Sequence, residues 1–132
     1  QRTYWGLVDG RVAGDMTIAK NIIRHPQRRT IFTVTENGGR RAVTHLKVLE
    51  RFARHTLCEF TLETGRTHQI RVHCKAINHA IVGDPEYNSG NGQMLEAVRL
   101  DFTHPMTGVP VHLSIEPTKE FAVMRDKCYH LR

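Results

Sequence analysis

This sequence has few cysteines, no long apolar run and, between residues 20 and 54, almost no acid. Each scarcity excludes something. Three cysteines (Cys58, Cys74 and Cys128) lie far apart with no C-x-x-C spacing. A disulfide framework is therefore excluded, and they read as reduced thiols of a cytosolic-type protein, in the cytoplasm or an organellar matrix. No apolar run approaches a membrane span, and no signal-peptide pattern opens the chain. No internal repeat, linker or low-complexity tract interrupts it. The chain begins at Gln1 rather than Met and enters a strand-like run at once, which suggests a processed chain or a piece of a longer one.

The missing acid is the more informative scarcity. Nine Lys or Arg (Lys20, Arg24, Arg28, Arg29, Arg40, Arg41, Lys47, Arg51 and Arg54) face only Glu36 and Glu50, a local excess of +7 against +6 for the whole chain. A basic surface concentrated in one stretch is the footprint expected for a polyphosphate partner, although a solvated basic face has the same composition. What remains is ordinary: 132 residues, 39% hydrophobic and 24% charged, enough for one domain with a modest core.

Hydrophobic alternation predicts strands over Thr3 to Val8, Ile31 to Thr35, Ala42 to Leu49 and Leu57 to Glu63. Asn37-Gly38-Gly39 predicts a hairpin joining the second to the third. Residues 11 to 24 are weakly patterned, with Gly14 and Asp15 read as loop. Ala80 to Val82 reads as a short buried strand before Gly83-Asp84-Pro85. Val98, Leu100 and Phe102 alternate, as do Val111, Leu113 and Ile115, which gives a second hairpin around His104 to Gly108. A closing helix is expected from Thr118, with Phe121, Met124, Cys128 and Leu131 at helical spacing. The fold class is α+β: a mostly antiparallel, mixed sheet with two helices.

The stretch from Thr64 to His73, TGRTHQIRVH, is the most distinctive. A strand pattern leads into it, and Ile70, His73, Cys74 and Ile77 lead out at i, i+3, i+4 and i+7, with Thr67 at the N-cap position. Such a junction sets Arg66 and Arg71 near a helix start, where anions are favoured. On spacing alone it is equally a capped helix with solvated charges. A metal site from His68, His73, Cys74 and His79 is disfavoured. His68 and His73 are five residues apart, off the i, i+4 spacing, and adjacent His73 and Cys74 fit no common zinc pattern.

Six segments in order, RTYWGLVDG, RHPQRR, GGRRAVTHLKVLERF, LETGRTHQIRVH, VGDPEY and LDFTHPMTG, resemble the RluA/RluD family of RNA pseudouridine synthases. The resemblance implies the C-terminal portion of a catalytic domain. Its expected reaction is uridine-to-pseudouridine isomerisation in structured, ribosomal RNA, without cofactor or metal. Enzymes of this kind cleave the N-glycosidic bond, turn the uracil and rejoin it through C5, after the base is flipped out of its stack. By that resemblance Tyr4 is the base-stacking tyrosine and Arg71 the arginine paired with the catalytic carboxylate. Ile70, Arg66, His68 and Gln69 fall in the substrate pocket. Lys20, Arg24, Arg28, Arg29, Arg40 and Arg41 would contact RNA.

The sequence departs from the family in one large respect: no H-R-L-D motif, the source of the nucleophilic aspartate, occurs in it. Asp9, Asp84 and Asp101 fall at turns or strand ends, Asp15 lies in a loop and Asp126 on the closing helix; Asp84 reads as structural. The expectation is that these residues alone do not catalyse, that a missing N-terminal segment or a second chain supplies the acid, and that Arg71 meanwhile takes up water, phosphate or another anion. The alternative is a non-catalytic RNA-binding module of the same fold in a ribonucleoprotein.

Overall fold

A computed structural model of the chain describes residues 2–103, 106–114 and 123. Its elements are β1 (Arg2–Asp9), β2 (Met16–Ala19), β3 (Asn21–Arg24), β4 (Phe32–Thr35), β5 (Val43–Arg51), β6 (His55–Leu62), α1 (Gln69–Ala76), β7 (Leu95–Thr103) and β8 (Pro110–Ser114). Six strands form one sheet in the order β2-β5-β6-β1-β7-β8, and β3 pairs with β4 in a second. Every pair of neighbouring strands is antiparallel. The α+β class is as expected. The helix expected from Thr118 lies outside the described residues, as do His104 and Pro105 of the second hairpin.

Strand β1 is central and buried on both faces, and its alternation divides the core in two. Val8 packs on one face with Val12, Leu46, Cys58, Phe60 and Ile81, and α1 covers that face through Ile70 and Cys74. Leu7 packs on the other with Phe52 and Leu57, joined by Trp5, Val82 and Met94. Burying a side chain such as Phe60 or Leu46 contributes about 1.5–3 kcal/mol, so the helix-covered face holds much of the stability. Gly6 is required there. A Cβ on it would stand 2.9 Å from the Phe60 ring.

Two expectations about the strands need correction. The run 31–35 does not form a hairpin with 42–49; β4 pairs instead with β3, Ile22 opposite Val34. The chain after Asn37-Gly38-Gly39 crosses to the larger sheet, where β5 pairs with β2 and β6. Residues 16–19 and 21–24, weakly patterned in the sequence, are strands. Each buries a single residue fully, Ile18 or Ile22, too little to show as alternation. Ala80 to Val82 is not a strand but a single bridge, Val8 to Ile81, tied by Asp9 N–H to Ala80 O and Val82 N–H to Leu7 O.

The small sheet has its own core. Ile22, Ile31, Ala42, Val72 and Tyr87 pack together, with Phe32 and Val34 against them. Val72 comes from α1 and Tyr87 from the loop after it, so the helix start is clamped between the two sheets. Gly39 makes the close approach possible: at φ 69° its missing Cβ would lie 2.8 Å from Ile22 O.

Candidate functional site at the helix start

The helix does not open on Thr67. Its N-cap is His68 in the left-handed region (φ 56°, ψ 22°), with no side-chain cap. Gln69 does the work expected of a cap. Its Oε1 accepts from the Thr64 hydroxyl at 2.7 Å and from Arg66 N–H at 3.0 Å. Its Nε2 donates to Val43 O and Thr44 Oγ1. The amide is thus fully engaged inside the protein and only 3% exposed, so Gln69 positions the turn and has nothing left for a substrate. Ile70 lies in the buried core cluster. Tyr4, half-buried, packs against the same cluster.

Most of the Arg71 guanidinium is engaged within the chain. Its Nε and Nη2 donate side-on to Asp84 Oδ2 and Oδ1, both at 2.8 Å, and Nη2 also donates to Glu86 Oε1 at 2.7 Å. The Tyr87 ring lies 5.0 Å from the guanidinium carbon. The expected pairing with an external anion misses this because the acids come from the loop 13 and 15 residues later. Asp84 is completely buried and also accepts from the Glu86 and Tyr87 amides. Burial would raise its pKa, but Arg71 and the two amides outweigh that and hold it below the usual carboxylate value. The hydrogen bonds that Arg71 donates to Asp84 in turn push the Arg71 pKa further up. Among the described residues nothing accepts from the Arg71 Nη1 hydrogens.

His68, beside this pair, has its pKa lowered by burial and by the Arg71 charge. Tyr87 OH accepts from Phe32 N–H at 2.9 Å and lies within hydrogen-bond distance of His68 Nδ1, at 2.8 Å. The Phe32 ring meets His68 edge-on at 5.8 Å. Sequence reasoning did not single out Phe32, Glu86 or Tyr87. Tyr87 had a signal in VGDPEY, whereas Phe32 looked like an ordinary strand aromatic.

The four residues of the metal reading are dispersed. His68 serves Tyr87, and His73 lies between Thr44 Oγ1 (2.8 Å) and Lys20 O (2.8 Å). Cys74 is buried in the core and His79 meets Asp9 O.

The basic residues spread over three recesses around the small sheet. Arg24 and Arg40 line one of about 640 Å³, with Ile22, Phe32 and Arg66. Arg28 lines another of about 450 Å³, with His25, Lys75 and Glu86. Lys20 lines a third of about 390 Å³, opposite Glu36. Arg29 gives its carbonyl to Arg24, and Arg41 reaches Glu63 at 3.4 Å.

Residues 1–76 match the family model described as RNA pseudouridylate synthase. The chain is 40% identical to ribosomal large subunit pseudouridine synthase D of Neisseria meningitidis serogroup A, an alignment covering 99% of this chain and 37% of that protein. It is 49% identical to the uncharacterized RNA pseudouridine synthase YlyB of Bacillus subtilis over 81% of this chain and 37% of that one. This chain therefore spans little more than a third of the length of those relatives. Among solved structures, human RNA pseudouridylate synthase domain containing 1 superposes with a TM-score of 0.77 at 26% identity, covering 87% of this chain and 54% of that one.

Proposed function

This chain belongs to the RNA pseudouridylate synthase family, and we propose that it serves the isomerisation of uridine to pseudouridine in structured, ribosomal RNA. Arg71 and Tyr4 belong to the reaction pocket, and the arginines around the small sheet hold the RNA backbone. The observation that carries this reading is Arg71. It lies within the family-matched segment, its charge is secured by Asp84, and its Nη1 edge has no acceptor among the described residues. That edge suits a carboxylate aimed at the glycosidic carbon, held ionised by a cation and aligned by paired N–H groups.

Asp84 itself is unsuited to attack, being fully buried with both oxygens occupied. No H-R-L-D motif occurs in these 132 residues, and in this reading a segment carrying one supplies the reacting aspartate, in cis or in trans. Tyr4 offers a ring on which a flipped uracil can stack, a contact worth roughly 1–3 kcal/mol. Ribosomal RNA as substrate is supported by the names of the relatives. Those names do not favour the alternative of a non-catalytic module. A cytoplasmic or organellar-matrix setting is supported by the free, buried Cys58 and Cys74; burial pushes the Cys58 thiol up to about 12.

Carbodiimide or mass-spectrometric mapping of pseudouridine on ribosomal RNA fragments tests the reading. Residues 1–132 alone should form none, and adding a segment with H-R-L-D should restore turnover. In the active protein Arg71→Ala should abolish turnover and Tyr4→Ala reduce it strongly, with RNA affinity largely retained. Isomerisation by the 132 residues alone would overturn the assignment of the nucleophile.

A further inference from the structure

The recess of about 640 Å³ differs from its two neighbours in its lining. Glu86 lines the 450 Å³ recess and Glu36 the 390 Å³ one, whereas Ile22, Ile23, Arg24, Phe32, Gly39, Arg40, Gly65, Arg66 and Thr67 include no acid. Three arginines therefore line one concavity without a carboxylate among its walls. Backbone contacts fix two of them in place without neutralising them. Arg66 Nε donates to Arg41 O at 2.8 Å, and Arg24 Nη1 donates to Arg29 O. Arg40 is fixed by its main chain, which exchanges two 2.9 Å hydrogen bonds with Ile22. A carbonyl orients a guanidinium and leaves its full positive charge for another group.

The recess also has a flat face. The Arg24 guanidinium lies over the Phe32 ring, 4.7 Å from its centroid, and Phe32 is braced from the side by His68. Arg24 is exposed. Guanidinium planes stack on unpaired nucleobases, and planarity is what distinguishes them from lysine.

We infer that this recess is a binding site for one unpaired RNA nucleotide, distinct from the uridine pocket: its base stacks on Arg24, backed by Phe32, and its phosphate lies between Arg40 and Arg66. The inference rests on RNA being the substrate class and adds where and how a nucleotide other than the target is held. The recess adjoins the 64–69 turn through Gly65, Arg66 and Thr67, so the nucleotide it takes is near the target in the same loop.

The test uses the complete native protein and ribosomal RNA stem-loops carrying 2-aminopurine at successive loop positions. In the wild type one position away from the target uridine should be quenched on binding. Arg24→Lys keeps the charge and removes the plane; it should abolish that quenching and weaken loop binding by roughly 5- to 100-fold, the range for one lost stack. Its salt slope should remain that of the wild type. Arg40→Ala and Arg66→Ala should each lower the slope by about 0.7–0.9. All three side chains are at least partly exposed, and thermal melts should stay at the wild-type value; a variant that melts lower is replaced by Arg24→Gln or Arg40→Gln. Loop binding and quenching by Arg24→Lys equal to the wild type would overturn the site. That result with pseudouridine formation intact leaves the enzymatic reading standing, whereas loss of RNA binding and pseudouridine formation in the wild type would sink that reading instead.

Discussion

Arg71 and Arg66 come from the same ten-residue stretch, and the protein treats them in opposite ways. Arg71 is 8% exposed and held by two carboxylates, with an aromatic ring against its face. Arg66 is held by a backbone carbonyl and has no carboxylate within ion-pair distance among the described residues. Arg24 is held in the same neutral fashion. An arginine that must be buried requires an acid, because an uncompensated charge in a core costs several kcal/mol. An arginine meant for an external anion is better oriented by a group that leaves its charge intact. The difference separates a fixed guanidinium inside the family motif from a cationic surface beside it.

The sharpest way to break this comparison is to remove the acid. Asp84→Ala leaves Arg71 buried with only Glu86, and also leaves the Glu86 and Tyr87 amides without their acceptor. Loss of one partner from a buried pair costs roughly 3–5 kcal/mol, so Asp84→Ala should lower the melting temperature far more than any substitution at Arg24, Arg40 or Arg66. Replacing both partners, Arg71→Met with Asp84→Asn, which keeps an acceptor for the two amides, should recover much of that loss. A single variant as stable as the wild type would show that the pair is dispensable.

The second prediction uses pH. His73 has its pKa lowered by burial between Thr44 and the Lys20 carbonyl, and His68 by burial and by Arg71. A histidine depressed in the folded state binds fewer protons there than in the unfolded chain. Its contribution is present above the unfolded value near 6.5 and is lost as pH falls through the folded one. Asp84, also depressed, contributes above 3.8 and loses that contribution as pH falls below it. Acid unfolding should therefore show two losses: one beginning below about 6.5 that His73→Gln reduces and that His73→Gln with His68→Gln removes, and a later one that Asp84→Asn removes. A single loss, unaffected by His73→Gln, would mean that His73 is not held neutral.

What could be read from the sequence follows the range of the interactions. The strands that β1, β5 and β6 became were legible because their alternation is local. The importance of TGRTHQIRVH and the structural role of Asp84 were legible from a resemblance carried by contiguous residues. Strand β4 was legible in the same way, but its pairing with β3 was not, since β3 buries a single residue and the small sheet's partner Val72 comes from a helix about fifty residues away from Ile22. Gln69 was misread for a related reason. Its partners Val43 and Thr44 are 26 and 25 residues distant, and a polar residue in a basic motif looks like a ligand-binding group until those contacts are known. The two acids on Arg71 were missed because an arginine in a family motif suggested an external partner.

The smallest predicted effect separates two adjacent arginines. Arg40 and Arg41 stand side by side and were both expected on RNA, but Arg41 Nη2 lies 3.4 Å from Glu63 Oε1 whereas Arg40 has no such acid among the described residues. Glu63 is exposed and also meets His45, which together with Arg41 holds its pKa down and keeps it charged. An exposed pair of this kind adds little to stability. It does reduce the charge that Arg41 offers to a phosphate, since part of its counterion role is already filled within the chain. Arg40→Ala should therefore lower the salt slope of RNA binding by about 0.7–0.9, and Arg41→Ala by clearly less. Glu63→Gln should raise RNA affinity and steepen the slope, and in that background Arg41→Ala should cost as much as Arg40→Ala. Equal slope losses for Arg40→Ala and Arg41→Ala in the wild-type background would show that acid pairing does not decide which surface arginines serve the RNA.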